Sequence, residues 1–412
     1  MIRQCCMNCG KGNLHEFLDL GSQPNGNNCP TEEEKESELT FPLRMLVCSD
    51  CWQVQIDEFP SQELLFQDHP YITGVNAPVV SHFQTLVPQV IAKLGLEPND
   101  LAIDIGCNDG TLLRIFAEHG LRVLGVDPSK RTGELAWQQG VTVFRTFWNS
   151  QTGRAMRQLN VQPQVITATA VFYHVPDLHD FLAGLGEVMG PQTVFVVQGV
   201  NLKDLIERNT FDHFYHEHSC IHSLLALQPL LQRHGLRMMD VEFSEVYGRS
   251  FILYVVREEH PTPTTEAVHA AMAAEKEAGL DRLDTYIEFT KRVQANVREL
   301  KALLTDLKRQ GKRVFALGAP VKGGTLLNYA GIGPDLVACA TEVNQFKIGR
   351  LTPGTHIPIV DETALSETPD YYLVLSWNIL DFLREKYDGF LRRGGRFIVP
   401  VPDISVIGPK DG

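Results

Sequence analysis

Two Cys-x-x-Cys knuckles stand near the amino terminus, Cys6–Cys9 in CMNCG and Cys48–Cys51 in VCSDC, with 38 residues between the pairs. Each knuckle presents two thiolates on one side of a tight turn, and two knuckles complete a tetrahedral all-sulfur site of the kind zinc occupies. Sulfur in all four positions leaves no opening for water or substrate, so the metal is expected to be structural. The alternative is four unrelated buried thiols, but isolated cysteines seldom pair at this spacing. Cys5 duplicates the first ligand position and competes with Cys6 for it. Residues 1–65 therefore read as a small zinc module that needs its metal to fold, because so few residues bury too little apolar surface.

The remaining length, out of 412 residues, allows two or three domains in all, at about 150 residues each. A hydrophobic fraction of 43% is ordinary for a chain with substantial cores. No apolar run approaches the roughly 18 residues of a membrane span. The start, MIRQCCMNCG, lacks an apolar signal core. Nine cysteines, five of them outside the knuckle set, suit a reducing cytoplasm better than a disulfide framework. A formal charge of −13 argues against nucleic-acid binding, which depends on phosphate neutralisation. A soluble cytoplasmic protein is expected, with no membrane association, and a monomer.

An amphipathic helix follows in NAPVVSHFQTLVPQVIAKLGL, whose apolar positions recur at three- and four-residue steps. From Leu101, buried strands alternate with helices: LAIDIG, TLLRIFAEHG, RVLGVD, VTVFRT, QVITATA, TVFVVQGV and FILYVVR. The alternation predicts an α/β domain over 66–260 with a mostly parallel sheet. The polar, proline-bearing EEHPTPTT marks its end. Residues 261–412 hold a long helical connector, from about Thr265 to Gly311, and then a second α/β unit built on RVFALG, TLLNYAG, LVACAT, YYLVLSW and RFIVPV. Both α/β units share a layout of strand, glycine turn and helix, as two nucleotide-type ligands on separate domains would require.

The first glycine turn reads Asp104-Ile-Gly106-Cys-Asn108-Asp-Gly110, between an apolar strand and a helix. Its Gly-x-x-x-Gly spacing differs from the Gly-x-Gly-x-x-Gly of dinucleotide sites. Asp104 and Asp109 would repel a phosphate, whereas the cationic sulfonium of S-adenosylmethionine suits them. Asp127, seventeen residues after Gly110 and followed by Pro128, closes the next strand. A carboxylate there can accept both ribose hydroxyls of an adenosine. Thr169, at the end of the strand in QVITATA, is expected to line the same pocket.

His174 in AVFYHVPD lies just past that strand, where loops of open α/β sheets meet ligands. Four histidines, His213, His216, His218 and His222, fall within ten residues of FDHFYHEH and its continuation. Three readings stand. On a helix, His218 and His222 would share a face and could ligate a metal. Alternatively, Tyr215, Glu217 and His218 supply a phenol, a carboxylate and an imidazole for acid–base work, with Glu217 fixing the tautomer of a basic His218 and the phenol binding an oxyanion. The segment can also be a polar patch between domains.

In order along the chain, the two knuckles, the Asp104–Gly110 loop, Tyr215-His-Glu-His218 and Gly318-Ala-Pro-Val-Lys-Gly323 resemble the nucleotide-sugar C-3′-methyltransferases, as do GIGPDL near 331 and RLTPGTHIPI at 350–359. The resemblance spans nearly the whole chain. It implies a zinc module, a central Rossmann-like class I methyltransferase domain and a C-terminal Rossmann-like domain that helps hold a nucleotide sugar. It further implies proton abstraction from C-3′ of a nucleotide-linked 4-keto-6-deoxy sugar and methylation of the enolate. On that likeness His218 is the base, Glu217 its carboxylate neighbour, and Tyr215, His174 and Tyr71 surround the keto oxygen and sugar ring. The run VVQGVNLKDL departs from relatives that carry an acid and a proline there, which bears on the substrate role given to Asn201, and the loop SQPNGNNCP differs as well. Gly318 and Lys322 in GAPVKGG offer a seat for pyrophosphate, with Lys347 and Arg350 adding local positive charge. A plain structural turn is the other reading of that loop.

Competing functions are an O- or N-methyltransferase of a sugar or small metabolite, and a non-catalytic nucleotide-sugar-binding protein. Deuterium exchange at the α-carbon without donor separates the first, because only C-methylation passes through an enolate. Failure to bind S-adenosylmethionine would indicate the second.

Overall fold

A computed structural model describes residues 3–67 and 70–409. Among the described residues the strands form three sheets. The N-terminal sheet pairs Leu14–Pro24, Thr40–Cys48 and Val54–Ile56 antiparallel, and its fourth strand, Cys220–Ile221, comes from the middle of the chain.

The middle sheet has seven strands. Leu101–Ile105 lies between Arg122–Val126 on one side and Val165–Thr169 on the other, all parallel. That reversal of strand order creates a crevice at the strands' carboxyl ends, where open α/β sheets bind ligands. Val143–Phe144 extends one flank; Val194–Val200 and the antiparallel pair Ser250–Arg257 and Leu236–Ser244 complete the other. The last of these was not anticipated from sequence, its pairing being broken by an irregularity between Met238 and Asp240. The C-terminal sheet has six strands, five parallel, built around Val314–Leu317 and Tyr371–Val374. The mixed α/β class and the Rossmann-like arrangement of both larger sheets agree with the expectation.

The connector is two helices, Glu266–Glu277 and Leu283–Arg309, separated by a turn at Gly279 (φ +75°). The second helix packs on both neighbours along one face. Tyr286, Phe289, Val293, Leu300 and Leu304 are fully buried, Tyr286 lies against Phe17 of the zinc module with ring centroids 5.2 Å apart, and Asn296 donates to the carbonyl of Pro400. One apolar cluster consequently runs from Met7 through both larger units to Val401. A second, around Val79, Phe83, Val87 and Phe116, fills the other face of the middle sheet. Among the described residues no helix is long and apolar enough to cross a membrane.

Candidate active site

The four knuckle sulfurs lie within 4.8 Å of one another. Cys6 Sγ is 3.5 Å from Cys51 Sγ, and Cys9 Sγ 3.5 Å from Cys48 Sγ. Four thiolates on a zinc ion at about 2.3 Å stand at similar mutual separations, so the set fits the metal. Cys6, not the exposed Cys5, completes it. Asn8, between the ligands, is tied to the middle domain by Arg233, His179 and the carbonyl of Ala226.

The Asp104–Gly110 loop turns tightly between its strand and the helix that follows. Gly106 (φ +73°) leaves no room for a side chain, since a Cβ there would lie 2.4 Å from Val171. Asp127 organises the loop: Oδ2 accepts from the Asn108 amide at 2.9 Å and Oδ1 from that of Ser129 at 2.9 Å. Asp104 is buried, accepts from Thr167 Oγ1 at 2.6 Å, and is pushed up to about 7 by burial. Pro128 follows Asp127 at the crevice, and Thr169 ends its strand there, half-buried. Residues 71–76 lie across the loop. Asn108 Oδ1 accepts from the Thr73 amide, its Nδ2 donates to the Tyr71 carbonyl, and Asp109 accepts from Gly74. These bonds hold the backbone of Tyr71, Thr73 and Gly74 against the Asp104–Gly110 loop.

The segment after Asn201 folds against the same end of the sheet. Residues 213–222 contain no α-helix, so His218 and His222 do not share a helical face. Among the described residues the knuckle cysteines are the only cluster of metal-ligating type. His218 is 2% exposed, and burial holds its imidazole well below the usual histidine range. Its Nδ1 donates to the carbonyl of His213 at 2.6 Å, so the tautomer-fixing role expected of Glu217 falls to a main-chain oxygen. The Tyr215 ring lies 3.9 Å from His218, Tyr173 4.5 Å and His174 5.1 Å. Glu217 is buried, accepts from Asn27 Nδ2, and its carbonyl receives the Nδ1–H of His174 at 2.8 Å. Burial, then the charge of Glu217, raises the Tyr215 phenol well above its usual value. This arrangement suits proton abstraction from carbon: a neutral imidazole whose Nε2 lone pair faces away from its anchoring carbonyl, among phenols able to donate.

The C-terminal unit approaches from the other side. Gly318 (φ +83°) turns the chain into helix Val321–Ala330. Lys322 Nζ sits 4.2 Å over the Trp377 ring and bonds Asn378, and burial pulls it down to about 8 against the charge of Asp212. Trp377 donates to Asp212 at 2.6 Å, linking the C-terminal unit to the residue before His213. Lys347 donates to the carbonyl of Ala319 in the glycine turn. Arg350 instead reaches the zinc module, at the Cys29 carbonyl and Glu34. Asn201 is buried as the cap of helix Leu202–Glu207, with its amide on Lys203 N and Asp204.

Sequence reading missed Tyr173, Asn27, Trp377 and Tyr247. Tyr247 sits in a left-handed turn with Arg249 (φ 62° and 80°) at the end of a hairpin. Burial raises its phenol, and the charges of Tyr71, Tyr173 and Asp104 add to the shift. Only Tyr173 carried a local signal, as the neighbour of His174.

Family models match a zinc binding domain at 6–66, a methyltransferase domain at 80–241 and a C-methyltransferase C-terminal domain at 245–402. The chain is 32% identical over 408 residues to C-methyltransferase NovU of Streptomyces niveus, covering 98% of this chain and 96% of that one. Among solved structures, magnesium protoporphyrin IX methyltransferase of Synechocystis PCC 6803 with bound S-adenosylmethionine is 20% identical, covering 44% of this chain and 81% of that one at a TM-score of 0.32. A methyltransferase of Anabaena variabilis is 14% identical, covering 42% and 83% at 0.34. Because the likeness to NovU covers 98% of this chain and 96% of that one, and the zinc-binding, methyltransferase and C-methyltransferase models follow one another along it, the chain belongs to the zinc-binding, S-adenosylmethionine-dependent C-methyltransferase family.

Proposed function

We propose that the protein methylates C-3′ of a nucleotide-linked 4-keto-6-deoxy sugar, with His218 as the base. The reading rests on one observation: Nδ1 of a buried His218 is committed to the His213 carbonyl, which leaves Nε2 as an unprotonated acceptor. A C–H beside a ketone becomes removable when a base takes the proton while donors hold the developing enolate oxygen. Tyr215, His174 and Tyr71 supply those donors in this reading, and Tyr173 packs the imidazole in place. Bound S-adenosylmethionine supplies an electrophilic methyl group. Asp127, Gly106 and Gly110 orient it from the crevice, and Asp104, Asn108, Pro128 and Thr169 surround it. Lys322 and Lys347, at the Gly318 turn, receive the pyrophosphate. Arg350 and Asn201 support this edge through the zinc module and a helix cap.

The test is incubation of the zinc-loaded protein in D2O with a dTDP- or GDP-linked 4-keto-6-deoxyhexose, first without donor and then with methyl-labelled donor. Exchange at C-3′ without donor, and a new carbon–carbon bond with it, are expected. Methyl found on oxygen or nitrogen, or transfer without any exchange, would overturn the proposal.

A further inference from the structure

The loop Asn25–Asn28, just past the strand Leu14–Pro24 of the zinc module, lies where the three units meet. Asn27 Nδ2 donates to Glu217 Oε1 at 2.5 Å across 190 positions of sequence. The main-chain N–H of Asn27 donates to Asn25 Oδ1 at 3.3 Å, which fixes the turn that carries this side chain. Next to it, Gly26 is so close to the C-terminal unit that a Cβ would lie 2.4 Å from Val321 Cγ1. A narrow groove lined by Gln23, Pro24, Tyr215, His216, Val321 and Asn328 opens beside the loop.

The zinc module also holds the backbone of the histidine segment. Val54 and Gln55 pair with Ile221 and Cys220, and Ile56 N donates to the Ser219 carbonyl at 3.0 Å. His216 Nε2 donates to the carbonyl of Pro42 at 3.0 Å, with its ring edge-on to Phe41. His218 is thus the residue immediately before a segment stitched to the metal module. Glu217, one position earlier, is gripped by a side chain of that module.

From this geometry we infer that Asn27 is a positioning residue of the active site: its amide holds the Glu217 carboxylate in its charged form and in its place beside Tyr215. A buried carboxylate is costly unless donors compensate it, and Asn27 is a neutral donor that leaves the charge intact. Among the described residues, titratable groups facing that charge include the phenols of Tyr173 and Tyr215 and the imidazole of His216, each of which responds to it, with His174 on the Glu217 carbonyl. The zinc module then contributes to catalysis through Asn27, without its metal touching substrate. This inference rests on the proposed C-methylation.

Two variants test it, Asn27→Ala, which removes the donor, and Asn27→Asp, which sets a second carboxylate against Glu217. Zinc per chain and S-adenosylhomocysteine affinity by calorimetry should match wild type in both, because neither the knuckles nor the donor loop is touched. With a dTDP-linked 4-keto-6-deoxyglucose, kcat for C-3′ exchange should fall about 10-fold in Asn27→Ala and further in Asn27→Asp. The acid limb of the pH profile should move to higher pH in both, in the same order, a change that loss of packing alone would not produce. Wild-type kcat and an unmoved pH profile would overturn the inference, as would loss of zinc or donor binding, which would make Asn27 a folding residue. Absence of exchange in the wild type would sink the proposed reaction itself, and the inference with it.

Discussion

The Nδ1–H of His218 is committed to the carbonyl of His213, 2.6 Å away, with the residue itself buried. The bond selects the tautomer with a bare Nε2, and burial keeps the ring neutral well below the usual histidine range. His218→Asn should therefore lower C-3′ exchange by about 100-fold or more, within the span of general-base effects, while donor affinity stays unchanged. Protonation disables the base as pH falls through its folded pKa, so any acid limb due to His218 must lie below pH 6.5. A limb above that value, absent from the variant, would contradict a buried neutral imidazole.

Asp127 holds two loop amides, of Asn108 and Ser129, with separate oxygens. Asparagine retains only one acceptor and places an NH2 against the second amide. Asp127→Asn should weaken S-adenosylhomocysteine binding by about 10- to 100-fold, roughly 1.4–3 kcal/mol. Calorimetry at constant metal content reads this directly, and unchanged affinity would remove Asp127 from the donor site.

The metal set contains Cys6 while Cys5 is exposed outside it. Cys6→Ser should lose zinc, and Cys5→Ser should keep one ion per chain by elemental analysis. Because the module's sheet ends on Cys220–Ile221, chelation should abolish exchange at C-3′. Donor binding should survive, since the donor loop belongs to the middle sheet. Activity lost on chelation with hydrogen-exchange protection of residues 40–56 and 219–222 unaltered would argue against a structural role for the metal.

His222 is fully buried, stacked on Phe172 at 4.9 Å, and its pKa is lowered by burial to about 4. Its unfolded counterpart binds a proton near 6.5, so the unfolded state is favoured as pH drops between those values. The stability concerned is fully present above pH 6.5 and is lost as pH falls toward 4. His222→Phe keeps a stacked ring and removes the titration. The stability of the variant relative to wild type should rise by about 1.4 kcal/mol per pH unit through this window, reaching about 3 kcal/mol at pH 4. Urea unfolding at several pH values, with both proteins zinc-loaded, measures that difference. A gap independent of pH would mean that the ring titrates normally.

What the sequence alone determined is local. Cys-x-x-Cys brings two sulfurs together within one turn, and a strand running into Gly106 and Gly110 can only become a crevice-forming loop, with Asp127 at the end of the adjacent strand. These relations are set by rise per residue, turn chemistry and strand pairing, so they survive without any knowledge of the rest of the chain. The histidine segment was legible as chemistry but not as geometry. Its spacing permitted a helical metal pair, and only the pairing of Cys220–Ile221 with the zinc module shows that it is extended there. The partners that define the site were decided by tertiary structure: the His213 carbonyl on His218, Asn27 on Glu217, and Trp377 on Asp212. Apart from the first, each joins residues from separate sheets or hairpins, and no periodicity in a chain records which loops meet once three sheets pack around one long helix.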